Sequence, residues 1–449
     1  MKIYMKRISF VETIRTSGIR ARIARPSTCP VLPNGGRSYA TPNDFCKGKR
    51  IRLLATAAIV AILCPGVPVA EATYNDLLNT LEANNAITTE QATDLRGKAP
   101  NYTVRPATSG VVKDLQIRGR IQTQFGYVDA KSDEGSDDFT TFEVRRARIG
   151  LRGTLFDSVR AQVEANLVPG SDLSMRSAFL QWREHQPAYL KVGYDKPHSS
   201  LEENTSSAEI LTVERTLINS LVAAPGPQTG LALDGELGAL YYGVGVYTDR
   251  DNRNPGGTDS KYLYNALVGL KLDDFVGDNR LRVQGVYLNS DDPEGKIGAK
   301  FDDVITVAGQ FATGGFDLRA EYFIGDNDGD EIKGFYIMPS FYLTDNVQAV
   351  LRYEQVESDR ERGVRAPSRY TRDVPSLKVR ETLDDAGEVV SKVDPQAGDE
   401  YQALYLGLNY YFAGHGHKLM FGVELAELKY TDAGTLESTT VTTAWRMLF

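Results

Sequence analysis

The stretch LQIRGRIQTQFGY, residues 115–127, alternates strictly. Leu115, Ile117, Gly119, Ile121, Thr123, Phe125 and Tyr127 fall on one face, and Gln116, Arg118, Arg120, Gln122 and Gln124 on the other. A period of two belongs to a β-strand with unlike environments on its two sides. SVRAQVEANL repeats the pattern, with Val159, Ala161, Val163, Ala165 and Leu167 set against Arg160, Gln162, Glu164 and Asn166. Between them, FEVRRARIGLRGTLF (142–156) places Arg146, Arg148 and Arg152 on the polar side and Ala147, Ile149 and Leu151 on the apolar side. Arg145 breaks the alternation, as a β-bulge or a position at the rim would.

Continued to residue 449, this pattern divides the chain into about sixteen strands. Short turns are expected at Phe156-Asp157, Gln186-Pro187, 313–315 and 343–346. Longer, acidic loops are expected at 129–139, 197–225, 250–260, 291–301, 326–332 and 358–400. Short turns on one side and long loops on the other describe an all-β fold, a transmembrane antiparallel β-barrel. A soluble sandwich also alternates, but its loops do not sort in this way. VTTAWRMLF closes the chain with Val441, Thr443, Trp445, Met447 and Phe449 on one face. An alternating strand with a terminal aromatic is the assembly signature of outer-membrane barrels, so Trp445 and Phe449 point to the barrel assembly machinery as a partner during biogenesis.

The front of the chain differs in charge. Residues 1–72 hold 12 Lys/Arg against 3 Asp/Glu, leaving 39 against 56 for the remainder. KGKRIRLLATAAIVAILCPGVPVAEA (47–72) has a basic start, an apolar run from Leu53 to Leu63 and an A-x-A ending, which reads as an export signal preceded by an upstream extension. Its apolar run is too short to span a membrane as a helix. Cys29, Cys46 and Cys64 all lie within this front part, so the exported chain would contain no thiol. Residues 73–112 read as a short periplasmic helical segment and linker, with Leu77, Leu78 and Leu81 at helical spacing, and 113–449 as the barrel. An acidic body is poorly suited to phosphate-backbone binding, so no nucleic acid is expected.

The same residues resemble the phosphate-selective porin O and P family. FEVRRARIGLRGTLF is similar to its second strand. YLKVGYDKPHSSLEENTSSAEILTVERTLINSL (189–221) is similar to its strand with a Lys-Pro element and long Glu/Thr/Ser loop. GFYIMPSFYLTDN (334–346) and YLGLNYYFAGHGHKLMFGVEL (405–425) resemble its later strands. The resemblance implies a homotrimer in a Gram-negative outer membrane, among lipid and lipopolysaccharide, with the third loop folded into the lumen. It also implies arginines leading small anions, phosphate or polyphosphate among them, to a lysine-containing constriction. Here 197–225 is the stretch that corresponds to that third loop.

A channel needs no nucleophile, cofactor or resident metal; it needs a water-filled bore and a field favouring one sign of ion. Arginine suits phosphate because it stays charged and its fork matches two oxygens. Alternation assigns Arg118, Arg120, Arg146, Arg148, Arg152 and Arg160 to the lumen as an anion path, at steps of about 6.6–6.8 Å along each strand. Glu143, Glu164 and Glu184 are available to neutralise them. Lys191 and Lys196 stand where the third loop begins, and Glu202, Glu203, Glu214 and Arg215 lie within it. With no lysine trio there, general anion preference fits better than strict phosphate selectivity, and a general diffusion or other-substrate porin is the alternative. A barrel enzyme would need a Ser/His or Asp/His constellation, whereas His185, His198, His415 and His417 fall at turns or in a loop. An envelope tether would rest on the 73–96 helices. The GDNDGDE stretch (325–331) and His415-Gly416-His417 read as loop and turn rather than metal sites.

Overall fold

The computed structural model describes Glu82, Thr88, 102–104 and 111–449, except for 133–134, 170–172, 185–186, 224, 249–260, 278, 292–300, 361–362, 368–379, 384–388, 394–395 and 430–433. The chain divides into two compact units, Met1–Pro68 and Val69–Phe449, and every described residue belongs to the second. The expected export signal, nearly all of the 73–96 helical segment and His185 lie outside the described residues.

Sixteen strands form the barrel. The first five are β1 (Val112–Ser132), β2 (Gly135–Leu155), β3 (Val159–Asn166), β4 (Ser174–Trp182) and β5 (Ala188–Asp195). A loop with two short helices, α1 (Leu201–Asn204) and α2 (Leu217–Val222), leads to β6 (Gln228–Leu237), β7 (Leu240–Thr248) and β8 (Tyr262–Lys271). Next come β9 (Arg280–Ser290), β10 (Asp303–Thr313), β11 (Phe316–Asn327) and β12 (Asp330–Thr344). The last four are β13 (Val347–Ser358), β14 (Glu400–Ala413), β15 (His417–Lys429) and β16 (Thr435–Leu448). Each pairs antiparallel with the next, and β1 pairs with β16 from Arg120↔Leu448 to Lys131↔Glu437. The expected barrel is therefore closed, with no free edge to satisfy inside the bilayer. Gly119 and Phe449 exchange two backbone hydrogen bonds, of 2.6 and 3.0 Å. Beyond the last residue of β16, Tyr102–Val104 takes over the ladder against Leu115–Ile117.

Exposure sorts the two faces. Ile149 and Leu151 are 47% and 48% exposed while Arg146 is 8% exposed, so the apolar residues of β2 face lipid and its arginines face inward. Trp445, Met447 and Phe449 are likewise outward. Among the aromatics near strand ends, Tyr322 and Trp445 are outward, whereas Tyr247 and Tyr411 are buried on the lumen side. The latter two fill space above neighbouring glycines or bond inward: Tyr411 donates to Gln348 at 2.6 Å, and the Tyr247 ring packs against Gly245.

Two of the expected long loops are hairpins instead. β1 and β2 remain paired out to Ser132↔Gly135, and β11 and β12 to Asn327↔Asp330. Their acidic residues continue the strand pattern beyond the membrane, where water accepts charge on both faces. At the second hairpin, Asp328 and Gly329 have φ of 52° and 98°, the left-handed pair that a tight two-residue connection requires. The 358–400 connection holds its own short hairpin, Arg380–Leu383 against Val389–Val393.

Leu406 is 52% exposed at the middle of β14. Leu406→Arg is expected to cost the folded barrel about 2–4 kcal/mol, because the side chain would meet hydrocarbon. Equilibrium unfolding in lipid bilayers measures this; an unchanged midpoint would place Leu406 away from lipid.

Candidate functional site

The lumen face of β1–β5 is basic because the strand period keeps returning arginine to it. Arg146 stands opposite Gln122, Arg148 opposite Arg120, and Arg152 opposite Gln116. Two arginines enter by a different route. The β1–β2 register steps from Gln122↔Arg146 to Thr123↔Val144, leaving Arg145 as the extra residue of a bulge. The β3–β4 register steps from Glu164↔Ser177 to Ala165↔Met175, leaving Arg176 in the same position. A bulge lets two consecutive residues oppose one partner, so each adds a side chain to the lumen without reversing the faces of the strand on either side.

A cavity of about 810 Å³ lies against this wall. Its lining contains ten cationic side chains (Arg118, Arg120, Arg145, Arg146, Arg148, Arg152, Arg176, Lys191, Lys196 and Arg215) and five carboxylates (Glu143, Glu164, Asp195, Glu203 and Glu209), so positive charge is in excess. Arg160 shares the face but lies nearer the β2–β3 turn, outside that cavity. Glu184 accepts a hydrogen bond from Trp182 at 3.0 Å instead of neutralising the wall.

The arginines are positioned chiefly by neutral groups. Arg146 donates to Gln122 at 3.0 Å, Arg148 to Asn166 at 2.7 Å, Arg152 to Gln162 at 2.7 Å and Arg120 to Ser207 at 2.7 Å. Arg148 also lies 3.4 Å from Glu164. Arg145 is the one fully engaged, with Glu214 at 2.8 and 3.2 Å. Among the described residues, neither Arg118 nor Arg176 has a hydrogen bond or ion pair. Lys191 pairs with Asp195 at 2.9 Å and lies over the Phe179 ring.

The β5–β6 loop crosses the lumen and is held against β11–β16. Lys418 donates to the Ile210 carbonyl at 2.8 Å, Asn409 to that of Leu211 at 2.9 Å and Arg352 to that of Glu214 at 3.0 Å. Arg446 donates to the carbonyls of Ser207, at 3.0 Å, and Val213. Carboxylates of the wall receive the helix starts: Glu321 accepts from the Leu201 and Glu202 amides at 2.7 and 3.1 Å, and Glu354 from that of Leu217 at 2.8 Å. The orphan donors of a helix's first turn are thereby satisfied by fixed groups of the barrel.

The residues of the expected constriction set divide between the cavity and the loop's interior. Glu202 is buried, accepts from the Thr216 amide at 3.2 Å and lies 4.0 Å from Arg352, and neither it nor Glu214 lines the cavity. Glu203 does line it, but is engaged by Lys196 and, at 3.3 Å, by Arg215, which also donates to the carbonyls of Glu202 and Thr205. These charges hold the loop in shape because buried charge needs a partner. Lys196 is the loop's variable charge: burial pulls its ammonium down to about 8, an effect that Glu203 partly opposes. Sequence reading missed Arg176, which only a bulge brings inward. It also passed over Arg352, Lys418 and Arg446, although alternation alone puts those three on the lumen face. His198 bonds Asp234 at 2.7 Å, and His417 stacks on Trp445; no group of three metal-binding side chains occurs among the described residues.

Residues 115–308 match the family model of phosphate-selective porin O and P. Over that stretch the chain is similar to this family. No curated protein matches it. Among solved structures, it is similar to an anion-selective porin from Comamonas acidovorans, 13% identical, covering 75% of this chain and 99% of that one with a TM-score of 0.51. The outer-membrane channel DcaP of Acinetobacter baumannii is 14% identical, with 77% and 100% covered and a TM-score of 0.49. At such identity the likeness to the Comamonas porin establishes fold alone.

Arg352 is 2% exposed and lies 2.7 Å from Glu424 and 3.6 Å from Glu354. Arg352→Met is expected to destabilise this region by about 3–5 kcal/mol, since it leaves buried carboxylates without a countercharge. Limited proteolysis should then cut within the β5–β6 loop of this barrel. Protection equal to wild type would show that the remaining contacts suffice.

Proposed function

We propose that this barrel is an outer-membrane porin and passes small anions, phosphate among them, along the arginine wall of β1–β5 and past the β5–β6 loop. The observation that carries this reading is the register pair Arg120↔Arg148. Like charges directly opposite on neighbouring strands are destabilising, and guanidinium does not escape by losing its proton. Arg118 and Arg176 add two more cations whose guanidinium groups have no protein partner among the described residues. An anion in the cavity offsets this repulsion, and low-dielectric walls focus the field along the bore.

Dispersed neutral hydrogen bonds leave each guanidinium oriented yet available. Binding at several weak points, rather than one tight one, allows an ion to leave as readily as it enters. Phosphate suits the forks, whereas chloride needs only the field, so the wall favours anions in general and oxyanions more strongly. Residues 47–72 would direct export, 73–112 would stand in the periplasm, and the barrel of 113–449 would work as a homotrimer among lipid and lipopolysaccharide after delivery by the barrel assembly machinery.

Reversal potential in planar bilayers under a salt gradient tests the sign of selectivity. Anion preference is expected, and Arg148→Glu with Arg152→Glu should reduce or invert it. Cation preference in the wild type would end the anion reading. Phosphate added during chloride conduction should lower the current; if it does not, phosphate is not a preferred ion.

The loop supplies a pH dependence. Lys196 is charged below about 8 and neutral above it, so it adds positive charge to the cavity only on the acid side. Anion preference should therefore fall as pH rises through about 8, and Lys196→Met should flatten that step. Reversal potentials across this range decide the matter, and a profile identical in the variant would assign any titration to another group.

A further inference from the structure

A second cavity, of about 280 Å³, lies against β6–β10 and shares no lining residue with the arginine wall. Leu201, Glu236, Tyr241, Lys271, Arg282, Gln284, Ala308 and Gln310 enclose it. Its central strand, β9, is half-way round the sixteen-strand ring from β1. Arg282 is the third residue of that strand, so the cavity sits toward the short-turn end of the barrel.

Arg282 has an unusual position. The ladder sets it opposite Lys271 on one side and Gln310 on the other. Lys271 is already paired with Glu236 at 2.6 Å. Asp317, one strand further on in β11, is taken by Arg319 at 2.9 Å and by the Gln310 amide at 2.7 Å. Arg282 keeps none of these partners, and its Nε is buried without any hydrogen bond among the described residues. An unpaired buried donor on a charged group is costly, and a lysine directly opposite adds repulsion. Gln284, two residues along the same face, accepts from the Tyr241 hydroxyl at 3.2 Å, and its own amide donors have no protein acceptor among the described residues. The Tyr241 ring lies over Gly269, where a Cβ would strike it, so the glycine leaves room for an aromatic floor.

We propose that this cavity is a second binding site for a small oxyanion, a phosphoryl or carboxylate group. The Arg282 guanidinium receives the charge, the Gln284 amide provides a further donor, and Tyr241, Ala308 and Leu201 bound the apolar part of an organic anion. Leu201 begins α1, whose last two residues, Glu203 and Asn204, line the arginine cavity, so one short helix of the loop separates the two sites. The inference rests on an anion-conducting lumen for its physiological use but not for its chemistry. An anion leaving the wall would meet Arg282 near the turn end.

Arg282→Gln tests this in two ways. In bilayers of known orientation, inorganic phosphate titrated into the chamber facing the turn end should block chloride current at a half-blocking concentration raised about tenfold in the variant, as loss of a charged hydrogen bond implies. A smaller shift is expected from the loop-end chamber. Acetate in place of phosphate separates the sources: a shift with both assigns a general oxyanion site, and a shift with phosphate alone assigns a phosphoryl site. Unchanged block from the turn end, in a wild type that prefers anions, overturns the second site and leaves the proposed function standing. If the wild type proves cation-selective, phosphorus-31 line broadening by the detergent-solubilised protein reads the site directly. It should weaken in Arg282→Gln, and equal broadening overturns the proposal. Should that variant fail to reach the heat-modifiable folded form, Gln284→Leu removes the second donor and should weaken phosphate in the same assays.

Discussion

Three buried cations gripping the backbone of one loop set the terms for everything else in this barrel. Lys418, Arg446 and Arg352 donate to the carbonyls of Ile210, Ser207, Val213 and Glu214. Carbonyl oxygens carry only partial charge, so the grip leaves the loop's side chains free to form their own pairs. Glu321 and Glu354 complete it from the other polarity by receiving the helix amides. The wall of β11–β16 thus spends its charges on the loop, while the wall of β1–β5, Arg120 and Arg145 apart, keeps its own for the bore. This asymmetry around the ring, rather than the total of arginines, is what makes one side of the lumen electrostatically active.

The loop's carboxylates acquire their meaning from that docking. In a chain read without structure, Glu202, Glu203 and Glu214 look like an acid filter opposed to anions. In the fold, Glu202 caps part of the loop's interior, Glu203 is flanked by Lys196 and Arg215, and Glu214 is held by Arg145. Glu209 also faces the cavity, with no such cationic partner among the described residues. The net field in the cavity is accordingly more positive than the linear sequence implies.

Much of the fold was legible because the strand period is two and one face meets lipid. Ile149 and Leu151 against Arg146 and Arg148 needed no more than that rule. The aromatic end of β16 was equally plain. What eluded the rule were departures from it. The bulge at Arg176 depends on how β3 and β4 align, and nothing in MRS (175–177) fixes the register in advance. Tyr247 and Tyr411 lie near strand ends, where aromatics commonly meet the membrane interface, but inward glycines and a glutamine claim both rings. The acidic runs near 129–139 and 326–332 resembled loops by composition, yet strands continue past the membrane where either face tolerates charge. Paired side chains far apart in sequence, such as Arg145 and Glu214, were beyond any local pattern.

The two bulges carry an evolutionary consequence. A substitution on a barrel strand changes one side chain and leaves the count facing the bore fixed by strand length. A one-residue insertion ordinarily does worse, turning every later residue to the wrong side. At Arg145 and Arg176 the extra residue is absorbed within the ladder, and the faces above and below keep their phase. Lumen charge in this architecture can therefore change in whole units by insertion or deletion at a bulge, with the lipid-facing surface left as it was. Selectivity and membrane fit become separately adjustable, which is a property of the backbone and not of any single arginine.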